Sequence, residues 1–380
     1  MQLLNPPLER LSDLSQDRLL EALNDIASNI EIGADFRIAH PNYKPLEIPE
    51  DTIQRFQSVP LELQHKYLSL QLQRFLYGIY YNASMRVAFR KDVDKDDNTV
   101  NLSLHQDLEN NTFLGMDLKF YHQLHESNCG KGYDDPGWQV LRQEKDGSLA
   151  VEKGGLTLHI NDDRYLSEIS APFNPSTSVG DRLSLRMPRN LVQNGFYMSV
   201  GNAGLSSRTG DRSGNLQDTA RIYFHLSPEG AVAVMASLTQ RLNAINLPFS
   251  FKVLYNPSNY DRYDSGVLYF EKSFYPQVRE ALQALYAETQ IYFRPEIPLF
   301  TKQLAPGLAV AEEPDLKFTE QESFGTNRCQ IVANGLLKAW LAGKNLPEDR
   351  LEAIFASFFT LGIAIERPYL NANSEDIYNW

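Results

Sequence analysis

This chain of 380 residues predicts an α+β protein: a mainly helical N-terminal region over residues 1–150, then a mixed or antiparallel sheet packed with helices over residues 151–380. Three observations carry the expectation. Apolar side chains recur at helical spacing through the N-terminal part, alternation with marked helix starts takes over between about 150 and 295, and helical spacing returns near the C-terminus. With 42% hydrophobic residues the chain can bury a large core, and its length allows two or three domains.

From Leu8 to Ile30, leucines and isoleucines at 11, 14, 19, 23, 26 and 30 are separated by charged residues, the pattern of an amphipathic helix. Pro60 opens a second helix with Leu68, Leu72, Phe75, Leu76 and Ile79 inward. The charged run at 91–98 holds no core-forming side chain and reads as an exposed loop; a calcium loop there would lack the EF-hand glycine and closing glutamate. Strands are expected at Leu156–Ile160, Arg182–Met187, Phe196–Val200, Arg221–Leu226, Phe249–Tyr255 and Gly266–Phe270. Ser227, Pro228 and Glu229 supply an N-cap, a first-turn proline and a first-turn carboxylate for a helix carrying Val232, Met235, Leu238, Leu242 and Ile245. Further helices are expected from Tyr275 to Tyr292, Ser323 to Gly343 and Pro347 to Ile363, and no internal repeat is visible.

The chain has 36 basic against 48 acidic side chains, so phosphates of nucleic acid would meet overall repulsion and no nucleic-acid partner is expected. Cys129 and Cys329 are too few for a disulfide framework or a thiolate metal site and fit a reducing, cytoplasmic compartment. The N-terminus lacks the basic start and apolar run of a secretory signal, and the longest apolar stretches fall short of the roughly 18 residues a membrane span needs, so no membrane association is expected.

Strand alternation turns Ile222, Phe224 and Leu226 to one side and Arg221, Tyr223 and His225 to the other. By the same rule Arg182, Ser184 and Arg186 share a face opposite Leu183, Leu185 and Met187, and Lys252 shares a face with Ser250. Placed side by side in one sheet, these polar faces would form a concave cationic surface suited to a phosphate dianion. Between Asp181 and Arg262 nine basic and five acidic residues reverse the sign of a chain whose net charge is -12; the basic set includes Arg189, Arg208, Arg212 and Arg241. The alternative is an ordinary antiparallel sheet with its arginines in solvent. Tyr260–Gly266 is either a solvated loop or a substrate-gripping loop carrying Arg262 and Asp264. Gly201 and Gly204 read either as a plain turn or as one whose backbone N–H groups face an anion, and not as a nucleotide cradle, because no Gly-Lys-Ser/Thr ending or helix follows. His122, His125 and Glu126 read as surface or capped groups rather than zinc ligands, and His159 as a structural histidine.

A set of segments resembles a known family. They are Gly-Asp-Arg-Leu-Ser-Leu-Arg-Met-Pro from 180, Gly-Phe-Tyr-Met-Ser-Val-Gly-Asn-Ala-Gly from 195, Arg-Ile-Tyr-Phe-His-Leu from 221 and Phe-Lys-Val-Leu-Tyr-Asn-Pro from 251. Arg-Tyr-Asp-Ser-Gly-Val-Leu-Tyr-Phe from 262 and Pro-Leu-Phe-Thr-Lys-Gln-Leu-Ala-Pro-Gly-Leu from 298 complete it. Together they resemble the HopA-type family over about residues 75–378. That family includes plant-pathogen type III effectors, and similar proteins serve as the lyase-like subunit of tripartite lanthipeptide synthetases.

The resemblance implies a fold similar to phosphothreonine lyases, which break the Cβ–O bond of a phosphorylated side chain with a lysine base, a histidine acid and arginines around the phosphate. Where those lyases have Lys-Phe-His after Gly-Asp, this chain has Arg182, Leu183 and Ser184, so strand geometry nominates His225 instead as the acid. The implied site has Lys252 as base, its pKa lowered by neighbouring cations, with His225 and Tyr223 as the other catalytic groups. Arg182, Arg186, Arg221, Arg262 and Asp264 would bind the substrate. The reaction would need no metal or organic cofactor. Its partners would be a phosphorylated peptide or protein and kinase and cyclase subunits; a small chaperone would accompany an effector. The rival is a non-catalytic module whose basic face recognises an acidic or phosphorylated partner while the helical region docks another subunit.

Overall fold

The computed structural model describes residues 8–33, 35–47, 50–90, 116–160, 178–205 and 219–380. The charged run at 91–98, Arg208 and Arg212 lie outside the described residues. Helix α1 (Leu8–Asn29) buries Leu19, Leu23 and Ile26, the stripe its spacing announces. Three short antiparallel strands follow, β1 (Glu31–Ile32), β2 (Ile38–His40) and β3 (Tyr43–Leu46), and then α2 (Glu50–Gln57). Pro60 immediately precedes α3 (Leu61–Leu76), which runs into a π turn at Tyr77–Tyr81 where the Asn82 amide donates to the Tyr77 carbonyl at 3.1 Å. The short α4 (Arg86–Phe89) and α5 (Leu118–Ser127) complete the N-terminal helices.

Two further sheets divide the rest. A four-stranded sheet has the order β6-β5-β4-β7, from β4 (Tyr133–Gln143), β5 (Leu149–Lys153), β6 (Leu156–Ile160) and β7 (Arg182–Met187). It carries its own small apolar cluster around Trp138, Val140, Val151 and Leu185. The boundary expected at residue 150 falls inside β5. The larger sheet is built from β8 (Asn190–Gln193), β9 (Phe196–Val200), β10 (Thr219–Phe224), β11 (Phe249–Leu254), β12 (Gly266–Glu271), β13 (Lys302–Ala305) and β14 (Leu308–Glu312). Its order is β13-β14-β10-β12-β11-β9-β8, and every neighbouring pair is antiparallel.

The Ser227 hydroxyl caps α6 (Pro228–Ala244) by accepting from the Gly230 amide at 3.1 Å. Helices α7 (Tyr275–Thr289), α8 (Phe324–Leu341) and α9 (Pro347–Thr360) lie within their expected ranges. Helix α6, flanked by α5 and α7, lies against β11 on one side of the large sheet. Helices α3 and α8 and the π turn pack together on the other, where the Tyr223 ring meets Tyr81 at 6.4 Å and Phe324 at 6.3 Å between centroids. Both faces are therefore covered: all six residues of β10 and all six of β11 are buried. The half-exposed sheet that alternation allowed is corrected by this second helical layer. One apolar core joins Leu23 of α1, Leu72 of α3, Ile222 of β10 and Ile354 of α9.

Candidate functional site

Antiparallel register decides which side chains meet. Tyr223 stands opposite Val267, and Val267 opposite Lys252, so the three form one row across β10, β12 and β11. Arg221, Tyr269 and Ser250 form the next row on the same face. The Tyr260–Gly266 segment brings Arg262 and Asp264 to the same place, both buried, so it is not a solvated loop. With Tyr77, Tyr81, Phe196 and Ser323 these residues, Ser250 excepted, line a small pocket of about 260 Å³ counted out to the open solvent. The part open to the centre of a water molecule is only ≈ 10 Å³, room for about one water.

Each arginine of the pocket already has a carboxylate. Arg262 makes a two-bond fork to Asp264, Nε to Oδ1 at 2.9 Å and Nη2 to Oδ2 at 3.0 Å. Burial would raise the Asp264 carboxyl, but Arg262, a hydrogen bond from Asn82 and the Lys252 charge outweigh it and hold the group below its ordinary value. Arg221 pairs with Glu313, and its guanidinium lies 4.9 Å from the Tyr269 ring centroid. Burial would likewise raise the Glu313 carboxyl; Arg221 and Lys317 outweigh it and bring it below the usual range. The Tyr223 hydroxyl is pushed well above its ordinary value, first by burial, and so stays protonated.

Lys252 is different. It is 5% exposed, and its ammonium stands 4.4 Å from the Phe196 ring centroid and 5.6 Å from that of Tyr269. Among the described residues it has neither a hydrogen bond nor an ion pair. A ring face offsets about 2 kcal/mol for a desolvated cation. Withdrawing an ammonium from water costs several kcal/mol, and the carboxylate its charge acts on, Asp264, is already gripped by Arg262.

Three expected site residues lie elsewhere. Arg182 and Arg186 belong to β7 in the four-stranded sheet; Arg182 is exposed, and Arg186 bonds the Asp134 carboxylate at 3.3 Å and the Lys131 carbonyl at 2.9 Å. The expectation that they share one sheet face with Arg221 and Lys252 is corrected, because alternation fixes a side within a strand but not the sheet to which the strand belongs. His225 lies past the end of β10 and does not line the pocket. Its Nδ1 sits 3.1 Å from the Glu296 carbonyl, which can only accept, so Nδ1 carries the proton. Its Nε2 is buried without a hydrogen-bond partner, its ring lies 5.1 Å from that of Tyr263, and burial lowers its pKa.

Among the described residues no group of three metal-ligating side chains exists. The His125 Nδ1 instead meets the Tyr197 hydroxyl at 3.1 Å. Gly201 and Gly204 form a plain turn closed at 2.9 Å. Among the described residues no helix is long and apolar enough to cross a membrane. The pocket residues Tyr77 and Tyr81, and Glu313, which pairs with Arg221 behind it, are not among the residues the sequence nominates. Their only signals in the sequence are two adjacent carboxylates, Glu312 and Glu313, behind an apolar run, and the tyrosine-rich Tyr77-Gly78-Ile79-Tyr80-Tyr81.

Residues 187–370 match the HopA1 effector protein family. Two solved structures are similar: the effector protein from Pseudomonas syringae pv. tomato strain DC3000 at 16% identity and the effector protein from Pseudomonas syringae pv. syringae strain 61 at 17%. Each likeness covers 67% of this chain and 81% of the other, with a TM-score of 0.38. No curated protein matches the chain. The region that forms the large sheet and the sheet side of the pocket is thus similar to the HopA1 effector protein family.

Proposed function

We propose that the pocket receives an anionic group carried by a partner polypeptide, the phosphate of a phosphothreonine or phosphoserine side chain. The observation that carries this reading is Lys252, a buried ammonium with no direct anionic partner among the described residues, between two arginines that are already paired. A phosphate would complete the site, taking Lys252 directly and sharing Arg221 and Arg262 with their carboxylates. The similarity to effector proteins supports a protein target over a small metabolite.

The chemical extension of this reading is β-elimination. Lys252, as the free amine, takes the Cα proton; the Cα–H electrons form the Cα–Cβ double bond, and the Cβ–O bond breaks toward phosphate. The proton for the departing oxygen comes from Tyr223, which stands in the Lys252 row and keeps its proton, rather than from His225. Kinase and cyclase partners belong to this extension. Recognition without chemistry is the second reading, favoured by a pocket with room for only about one water and by carboxylates already on both arginines.

A phosphothreonine peptide separates the two. Elimination releases inorganic phosphate and leaves a peptide lighter by phosphoric acid, which mass spectrometry distinguishes from the hydroxyl left by hydrolysis. Lys252→Arg keeps the charge without a usable base, so calorimetry should show retained binding while elimination falls about a hundredfold or more. Lys252→Ala should weaken both. Binding without product assigns the recognition reading; no binding by the wild type overturns the site.

A further inference from the structure

The π turn closes the pocket. Tyr77 and Tyr81 are buried and stacked, with ring centroids 5.0 Å apart and planes inclined by 25°, and they line the pocket across from the sheet. Tyr81 also lies against the first turn of α8. A Cβ added at Gly325 would stand 2.3 Å from its ring, so glycine there is what admits the aromatic.

The other end of the turn is tied to the pocket's own ion pair. Asn82 Nδ2 and the Tyr77 hydroxyl both donate to Asp264 Oδ2, at 3.3 and 3.4 Å. This is the carboxylate that grips Arg262. Both bonds are long, hence weak. Next in the chain, Ala83 adopts a left-handed φ of 62°, which costs a residue with a Cβ about 1 kcal/mol. On its pocket side the turn is held to the ion pair by this stretched pair beside a strained residue; its backbone is tied further by the Tyr263 amide donating to the Asn82 carbonyl at 3.0 Å and the Leu299 amide to the Tyr81 carbonyl at 3.1 Å, and the Tyr80 hydroxyl donates to Asp25 at 2.7 Å.

We propose that residues 77–83 form a roof over Lys252, with Asp264 as its latch, and that the roof must lift before a ligand enters. What enters rests on the anion-binding reading above; the roof itself does not. Asp264 is a positioning residue in both senses: it orients Arg262 and, through Asn82 and Tyr77, sets how often the pocket opens.

The test is the acetylation rate of Lys252 by acetic anhydride in the full chain, read by peptide mass spectrometry against Lys344, whose side chain is 56% exposed. In the wild type Lys252 should react far more slowly than Lys344. Tyr77→Phe, which deletes one oxygen, and Asn82→Ala should each speed it by about tenfold. Amide exchange in β10, β11 and β12 should stay at wild-type rates. Lys252 reacting as fast as Lys344 in the wild type, unchanged rates in both variants, or a parallel rise in strand exchange would each overturn the roof. Inorganic phosphate and the phosphothreonine peptide are then added to the wild type: protection of Lys252 supports the anion reading. Latch variants that accelerate labelling without any protection by phosphate leave the roof standing and sink the anion reading alone.

Discussion

Lys252 places a charge in a layer where its close neighbours are the rings of Phe196 and Tyr269. The two rings and the Asp264 carboxylate, which Arg262 already grips, offset only part of the cost of withdrawing that charge from water. Lys252→Met, similar in length and without the charge, should therefore stabilise the fold by about 1–3 kcal/mol, a rise of a few degrees in Tm by calorimetry, while abolishing anion binding. A fall in Tm would mean that the ammonium has a partner. His225 supplies the opposite kind of residue, a buried neutral histidine whose proton is harder to add in the folded state than in the unfolded chain. Its stabilising effect is present above the unfolded value of about 6.5 and is lost as pH falls below it, since the unfolded chain then binds the proton first. His225→Gln should flatten the decline of Tm between pH 7.5 and 5; an unchanged slope would assign the acid sensitivity to other groups. These residues also mark how far alternation reads. It identified Arg221, Tyr223 and Lys252 as one face because they lie inside paired strands, and it failed at His225 because the chain has left β10 there.

Elements were legible where a local signal agreed with the tertiary environment. Ser227 and Pro228 start α6 in sequence and in structure alike, and β6, β7 and β9 have the bounds their patterns suggest. β4 was not legible, since Asp134-Asp135-Pro136-Gly137 reads as a turn; in the fold it is a strand whose register shifts between Pro136 and Trp138, with Gly137 at a φ of 93°. Missing β4 is also why Arg182 and Arg186 were placed beside Arg221: their true partner strand was invisible. β14 escaped for a different reason. Leu308–Glu312 is buried throughout and carries no alternation, and so could not be told from part of a buried helix. Its end sets Glu313 against Arg221 and Glu312 against Lys272, so the hidden strand holds the carboxylate that neutralises half of the arginine pair. The π turn is the least legible element, because an i→i+5 closure has no periodicity of its own and α3's apolar spacing runs straight into it.

At the scale of the molecule, the π turn that follows α3 is a wall of the pocket, through Tyr77 and Tyr81. Without the π turn, which α3 carries into place, Tyr223, Lys252 and Arg262 would lose the Tyr77 and Tyr81 side of their pocket. The same packing makes the N-terminal helices part of the core, which runs from Leu19 of α1 through the large sheet to Tyr378 near the C-terminus. Leu68, Leu72 and Phe75 are each nearly fully buried, so removing α3 would uncover the apolar side of α8. Each such side chain is worth about 1.5–3 kcal/mol, and a handful of them equals the net stability of an ordinary domain. Heat should therefore unfold α1, α3 and the large sheet in one transition, with far-ultraviolet circular dichroism and tyrosine absorbance giving the same midpoint. Residues 151–380 produced alone should lack that transition and bind the apolar dye ANS, because β5 is cut and α8 exposed. If that fragment melts cooperatively at the wild-type temperature, the helical region is a separate domain and the wall of the pocket belongs to an interface between two units.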